Sequence, residues 1–247
     1  MKVLCLGTSN PTVFDHFVKL DTAATNGQWS ATKGTGGTLA LNNSLAGGWI
    51  NVPTAATDND YQLLSTPQPT FKVVPAAGIE EGISVSFEAR FKLTEANTDD
   101  ANFVFGFSSV LTTGFVANDG GGVPSNFSGA VIYKKDGGAS LLAASSNGTA
   151  QTKDKTLCPF VSGNTYTVAV TIDVFDSVTC RVLFWVKDEA NGRLYNPDEL
   201  GKNVGVHFLP LASLASMYPI FGVKAGGANA ETLSVDYVYA AMNGMAS

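Results

Sequence analysis

The chain has 247 residues, a formal net charge of −6 and only 15% charged residues. That length suits one large β domain, whose folding buries enough surface to need no covalent staples. Nucleic-acid partners need Lys and Arg to neutralise phosphates, and the only basic groupings here are Lys134-Lys135 and Lys153/Lys155, so the charge argues against nucleic acid.

The chain opens on MKVLCLGTSNP, one Lys followed by four apolar residues that stop at Gly7. This is too short for the apolar region of a secretion signal, and no stretch approaches the ~18 apolar residues of a membrane span. The expectation is a product made in a cytoplasm, with no membrane partner. Residues 1–35, with FDHFVKLDTAATNGQWS, read as an N-terminal arm and first strand joined to the main domain. His16, between Phe14 and Phe17, is expected to be packed and hydrogen-bonded.

From residue 36 to 247 the pattern is that of a single β-sandwich domain. Short strand candidates are TLALNN (38–43), GWINVP (48–53), YQLLST (61–66) and FKVV (71–74). GISVSFEARFKLTE (82–95) then alternates strictly, with Ile83, Val85, Phe87, Ala89, Phe91 and Leu93 on one face and Ser84, Ser86, Glu88, Arg90 and Lys92 on the other. Such period-two runs bury one face and wet the other, as antiparallel sheets do. NFVFGFSSV (102–110) is apolar on both faces, which predicts a mid-sheet strand or one with a loop or neighbour lying across its outer side. GAVIYKKD (129–136) and ASLLAAS (139–145) follow.

NTYTVAVTIDV (164–174) and SVTCRVLFWVKD (177–188) both alternate and read as a hairpin turning near Asp176-Ser177. In the second, Trp185 falls on the face opposite Phe184. LPLASLASMYP (209–219) is expected to give one short helical turn, YPIFGVKAG (218–226) a strand, and ETLSVDYVYA (231–240) a strand with Leu233, Val235, Tyr237 and Tyr239 inward. Two segments look irregular: the glycine-rich loop at 116–129 and the charged excursion at 188–205. About a dozen strands at this spacing predict an all-β fold, an antiparallel two-sheet β-sandwich.

Catalytic patterns are thin. His16 and His207 are far apart with no GxSxG elbow, and Glu80-Glu81, Glu88, Asp173 and Asp176 do not give the ExDxxE type of spacing of sandwich glycanases, so no catalytic residue is assigned and no enzyme is expected. Asp58 and Asp60 in TDND, and Asp99 and Asp100 in NTDDAN, are weak calcium candidates; Asx-rich turns explain the same residues, so no metal and no cofactor is assigned. Cys5, Cys158 and Cys180 make an odd count without CxxC spacing, and read as small buried apolar residues.

Taken in order, several stretches resemble a group of tailed-bacteriophage structural proteins. These are FDHF…TNGQWS…GTGGTLAL…GGWINVPTAATDNDYQLLS, FEARFKLTEANTDDANFVFGFSSV, GAVIYKKDGGASLLAASSNGT, TYTVAVTIDVFDSVTCRVLFWVKD and PIFGVKAGGANAETLSVDYVYA, across residues 14–241. The resemblance implies a concanavalin A-like (laminin-G-like) jelly-roll sandwich. It also implies a virion structural protein on the capsid exterior, a decoration, cement or minor head protein. It would be synthesised in the host cytoplasm and bind the major capsid protein, other virion proteins or further copies of itself as a homo-oligomer. Its expected contacts lie in the arm and the two irregular segments, with Trp185, Phe127, Leu194 and Tyr195 as candidate interface residues. The alternative is a lectin-like module that binds host-surface glycans. A glycanase is the third reading.

Overall fold

The computed structural model describes residues 12–17, 27–73, 83–98, 100–112 and 114–243. In chain order its strands are β1 (Thr12–Asp15), β2 (Ser30–Lys33), β3 (Ala40–Asn42), β4 (Trp49–Pro53), β5 (Tyr61–Ser65), β6 (Ser84–Thr94), β7 (Asn102–Ser108) and β8 (Ser128–Lys134). They continue with β9 (Ser140–Asn147), β10 (Gln151–Pro159), β11 (Thr165–Val174), β12 (Thr179–Asp188), β13 (Arg193–Tyr195), β14 (Val206–Pro210), β15 (Tyr218–Lys224) and β16 (Thr232–Asn243). One helical turn, α1 (Pro197–Leu200), and a 3₁₀ turn at Leu211–Ser213 complete the described elements.

The strands form two antiparallel sheets. The nine-stranded sheet runs β13-β12-β11-β6-β16-β4-β3, with β14 also on β12 and β1 also on β16. The seven-stranded sheet runs β10-β9-β8-β7-β15-β5-β2. Two long strands of the larger sheet, β12 and β16, therefore each have one flank shared by two short ones: β13 and β14 pair different halves of β12, and β4 and β1 pair different halves of β16. At the rim of the smaller sheet, β10 breaks register twice, between Thr152 and Lys155 and between Thr156 and Cys158.

The core is what the alternation dictates. Val85, Phe87, Ala89, Phe91 and Leu93 of β6 are all at most 1% exposed, and they meet Phe103, Phe105 and Phe107 of β7 across the sandwich. Phe91 stacks on Phe105 at 4.5 Å. Cys158 and Cys180 lie buried as free thiols, with burial pushing them up to about 12 and about 11; Cys5 lies outside the described residues.

The double-apolar strand β7 sits in the middle of the smaller sheet and is also covered on its outer side. The described residues of the segment 109–127 fold back over that sheet, burying Phe115, Val116, Val123 and Phe127 against Val104, Val131, Tyr133, Leu142 and Ile220. Within the sheet beneath it, β7 and β8 pair closely at Gly106 and Gly129. Both have φ near +138°, and a Cβ on Gly106 would strike the carbonyl oxygen of Ala130. Phe127 is thus fully buried in the chain's own second core, and its expected role as an interface residue is withdrawn.

A second expectation fails on one residue. β16 pairs with β6 from Thr232 to Asn243, but the register shifts between Val235 and Tyr237, where Asp236 is extra. A one-residue bulge reverses every later side chain. Leu233 and Val235 point inward as expected, but Val238 and Ala240 take the following core positions, and Tyr237 and Tyr239 face outward.

Candidate functional site

Three regions bear on function: the loop end beside Lys224, the interior polar pairs, and the outer face of the nine-stranded sheet.

At the loop end the acids are committed to holding turns. Asp60 is buried; its Oδ1 accepts from Thr35 Oγ1 at 3.2 Å and Gly36 N at 3.1 Å, and its Oδ2 from Ala55 N at 2.6 Å. Asp58 is exposed, Asp100 is half-buried, and Asp99 lies outside the described residues. Among the described residues, no three His, Cys, Asp or Glu side chains converge as a metal would require. Lys224 ties the covering segment down, donating from Nζ to the carbonyl of Val116 at 3.0 Å and to Asn118 Oδ1. Burial lowers its pKa, while Asp58, Asp119 and Asp136 oppose that shift.

Neither buried polar pair is set up for catalysis. Glu95 accepts from Lys134 Nζ at 2.7 Å and from Ala101 N at 3.1 Å, and Glu231 holds Ala96 N, so both carboxylates pin the β6–β7 loop. Glu95 lines a cleft of about 560 Å³ with Asn97, Thr98, Phe160, Val161 and Ser162, but its charge is already matched there by Lys134. Ser145 Oγ and His207 Nδ1 are 2.8 Å apart, bridging the two sheets, and both side chains are sealed from solvent. Burial drives His207 down to about 4, so it is neutral at physiological pH.

The outer face of the larger sheet is different. Successive register partners place Trp185, Ala169, Glu88, Tyr239 and Phe14 in one row across β12, β11, β6, β16 and β1. The adjacent row holds Lys187, Thr167, Arg90 and Tyr237. Phe14 lies 6.3 Å from Tyr239 and 6.5 Å from Tyr237, and His16 packs edge-on against Phe14 at 4.6 Å and Tyr237 at 5.6 Å. His16 is therefore packed at the surface and exposed, because Val13, Asp15 and Phe17 take the inward positions; Asp15 accepts from Trp29 Nε1 at 3.0 Å. Tyr237 donates its hydroxyl to Glu88, and burial and that carboxylate raise its pKa.

Charges on this face are matched locally. Arg90 pairs with Asp236 at 2.9 Å, Lys187 with Glu189 at 2.6 Å, and Arg181 grips Asp173 through two bonds of 3.2 and 2.6 Å. Of the remaining interface candidates, Trp185 belongs to this face and is partly exposed. Leu194, in β13 opposite Lys187, is 48% exposed. Tyr195 packs against the core rim under the Arg193 guanidinium, 4.6 Å from its ring. The face thus gathers Trp185 with four residues not foreseen as site residues: Phe14, His16, Tyr237 and Tyr239. Their signal was in the sequence as aromatics near both ends of the chain, but only strand pairing puts those ends side by side.

No family model and no curated protein matches this sequence. Solved structures do match in shape. Peanut lectin superposes with a TM-score of 0.60 at 12% identity, over 97% of this chain and 100% of that one. Lectin II from Ulex europaeus gives 0.58 at 11%, over 94% and 98%. The VIP36 exoplasmic/lumenal domain, in a form bound to Ca²⁺ and Man₃GlcNAc, gives 0.52 at 11%, over 89% and 85%. The chain is a concanavalin A-like, legume-lectin-like β-sandwich.

Proposed function

We propose that this protein is a non-catalytic carbohydrate-binding module that works through the outer face of its nine-stranded sheet. The observation that carries the reading is the row Trp185–Ala169–Glu88–Tyr239–Phe14. A pyranose has an apolar C–H face that stacks on aromatic rings and a rim of hydroxyls that need acceptors and donors. This row supplies rings on both sides of a carboxylate, with Thr167, Ser86 and Thr171 hydroxyls beside it. The lectin neighbours share the fold, and the sugar-bound state of VIP36 agrees with this reading. The other outer face is closed by the chain's own segment 109–127.

The bacteriophage resemblance has no support among the comparisons. That leaves its capsid and other virion partners, its homo-oligomer and its place on the capsid exterior resting on sequence pattern alone, and Phe127 is interior.

The test is a glycan array with the purified chain, followed by titration read by tryptophan fluorescence. Trp29 and Trp49 are 1% and 5% exposed, so a sugar-dependent change reports Trp185 and is expected to vanish in Trp185→Phe. If no glycan binds, and Trp185→Ala or Tyr239→Ala instead abolishes a self-association seen by sedimentation, the face is a protein interface and this reading falls.

A further inference from the structure

Resting on that reading, the geometry points to the class of glycan: we infer that the face takes an extended, uncharged, equatorially linked polysaccharide lying across the strands, not a terminal monosaccharide. The row beside the aromatic one runs Leu183, Thr171, Ser86, Ala241 and Thr12, again as successive register partners. All but Leu183 are small. Beyond them stand Arg181 and Asp173, joined as an ion pair, with Phe208 opposite Arg181 on β14. The small residues therefore floor a shallow trough, with Trp185, Glu88, Tyr239 and Phe14 along one wall and the Arg181–Asp173 pair toward one end of the other.

Dimensions and chemistry set the ligand. The trough crosses five adjacent strands, about 19 Å at the usual strand spacing, which a single sugar cannot fill. Its axis is perpendicular to the strands, so each strand presents one floor residue to successive sugar units. Hydroxyls line it: Ser86 Oγ lies 3.3 Å from Thr171 Oγ1 and accepts from Asn243 Nδ2 at 3.4 Å. Equatorially linked chains are flat ribbons whose ring faces are apolar, which suits stacking against Trp185 and Tyr239; axially linked chains coil away from a straight trough. The charges lining the face are paired, and the central carboxylate, Glu88, repels an anionic chain. A neutral polymer is the charge-complementary occupant.

Isothermal titration of the full chain with a β-1,4-gluco-oligosaccharide ladder tests this, with α-1,4-gluco-oligosaccharides and an alginate oligosaccharide of equal length as comparisons. Affinity should rise at least about tenfold from disaccharide to hexasaccharide, as rings at both ends of the row engage, and the α-linked and anionic series should bind weakly. Thr171→Arg, on the partly exposed floor, should abolish the length dependence; Ser86→Gln is a second block should the first perturb folding, checked by thermal melts. Equal affinity for mono- and hexasaccharide, preference for alginate, or indifference to both substitutions overturns the inference but leaves a sugar-binding module. Binding of no sugar at all overturns both.

Discussion

The two sheets present their outer faces to very different surroundings. The seven-stranded sheet carries Val104, Val131, Tyr133, Leu142 and Ile220 outward and covers them with its own segment 109–127, pinned by Lys224. The nine-stranded sheet carries Trp185, Tyr239, Tyr237 and Phe14 outward and leaves them partly open. Both faces hold aromatic residues, yet in one the rings are core and in the other they are surface. Ring content alone does not mark a binding face; what matters is whether the chain supplies the cover.

Substitutions on the closed side should act on stability. Gly106→Ala forces a side chain into a position with φ near +138° and against the backbone of the next strand, so a loss of about 4 kcal/mol or more in chemical denaturation is expected. Phe127→Ala leaves a cavity under the covering segment and should cost about 3–4 kcal/mol in the isolated chain. An unchanged melting temperature would return Phe127 to the surface. Between the sheets, His207 is neutral when folded, with a pKa of about 4 against 6.5 when unfolded. Its contribution is therefore intact above pH 6.5 and lost as pH falls toward 4, up to about 3 kcal/mol, and His207→Gln should flatten that part of the pH–stability curve.

On the open side the effects on folding should be small. Tyr237→Phe removes one hydrogen bond to Glu88 and should cost about 1 kcal/mol. Trp185→Ala should change stability by less still while weakening glycan binding. A destabilisation as large as that of Phe127→Ala would mean that Trp185 is core after all, and the contrast between the faces would collapse.

Much of the fold was legible because β6, β11 and β12 alternate without interruption, and period two leaves no choice of face. Strand β7, apolar on both sides, announced its cover, although the glycine-rich segment was expected to reach for a neighbour. The site was harder to read. The phase of Tyr237 and Tyr239 turns on Asp236, whose extra position exists only relative to the partner strand β6. A bulge depends on two strands at once, so no pattern within one strand shows it. The same holds for Phe14 and His16: their neighbours are more than two hundred residues away in the chain, and β1–β16 pairing alone brings them together.

The rims of the sheets have a consequence for life in a crowd. A chain with so few charges has little electrostatic repulsion to keep its copies apart. Its larger sheet nevertheless offers no long, unbroken rank of amides, because short strands share each flank. On the smaller sheet, β10 is kinked by two register breaks and carries Lys153, Asp154 and Lys155 at the rim. An incoming strand from a sibling molecule finds neither a straight template nor an uncharged one. Many copies can therefore crowd together without zipping into fibrils.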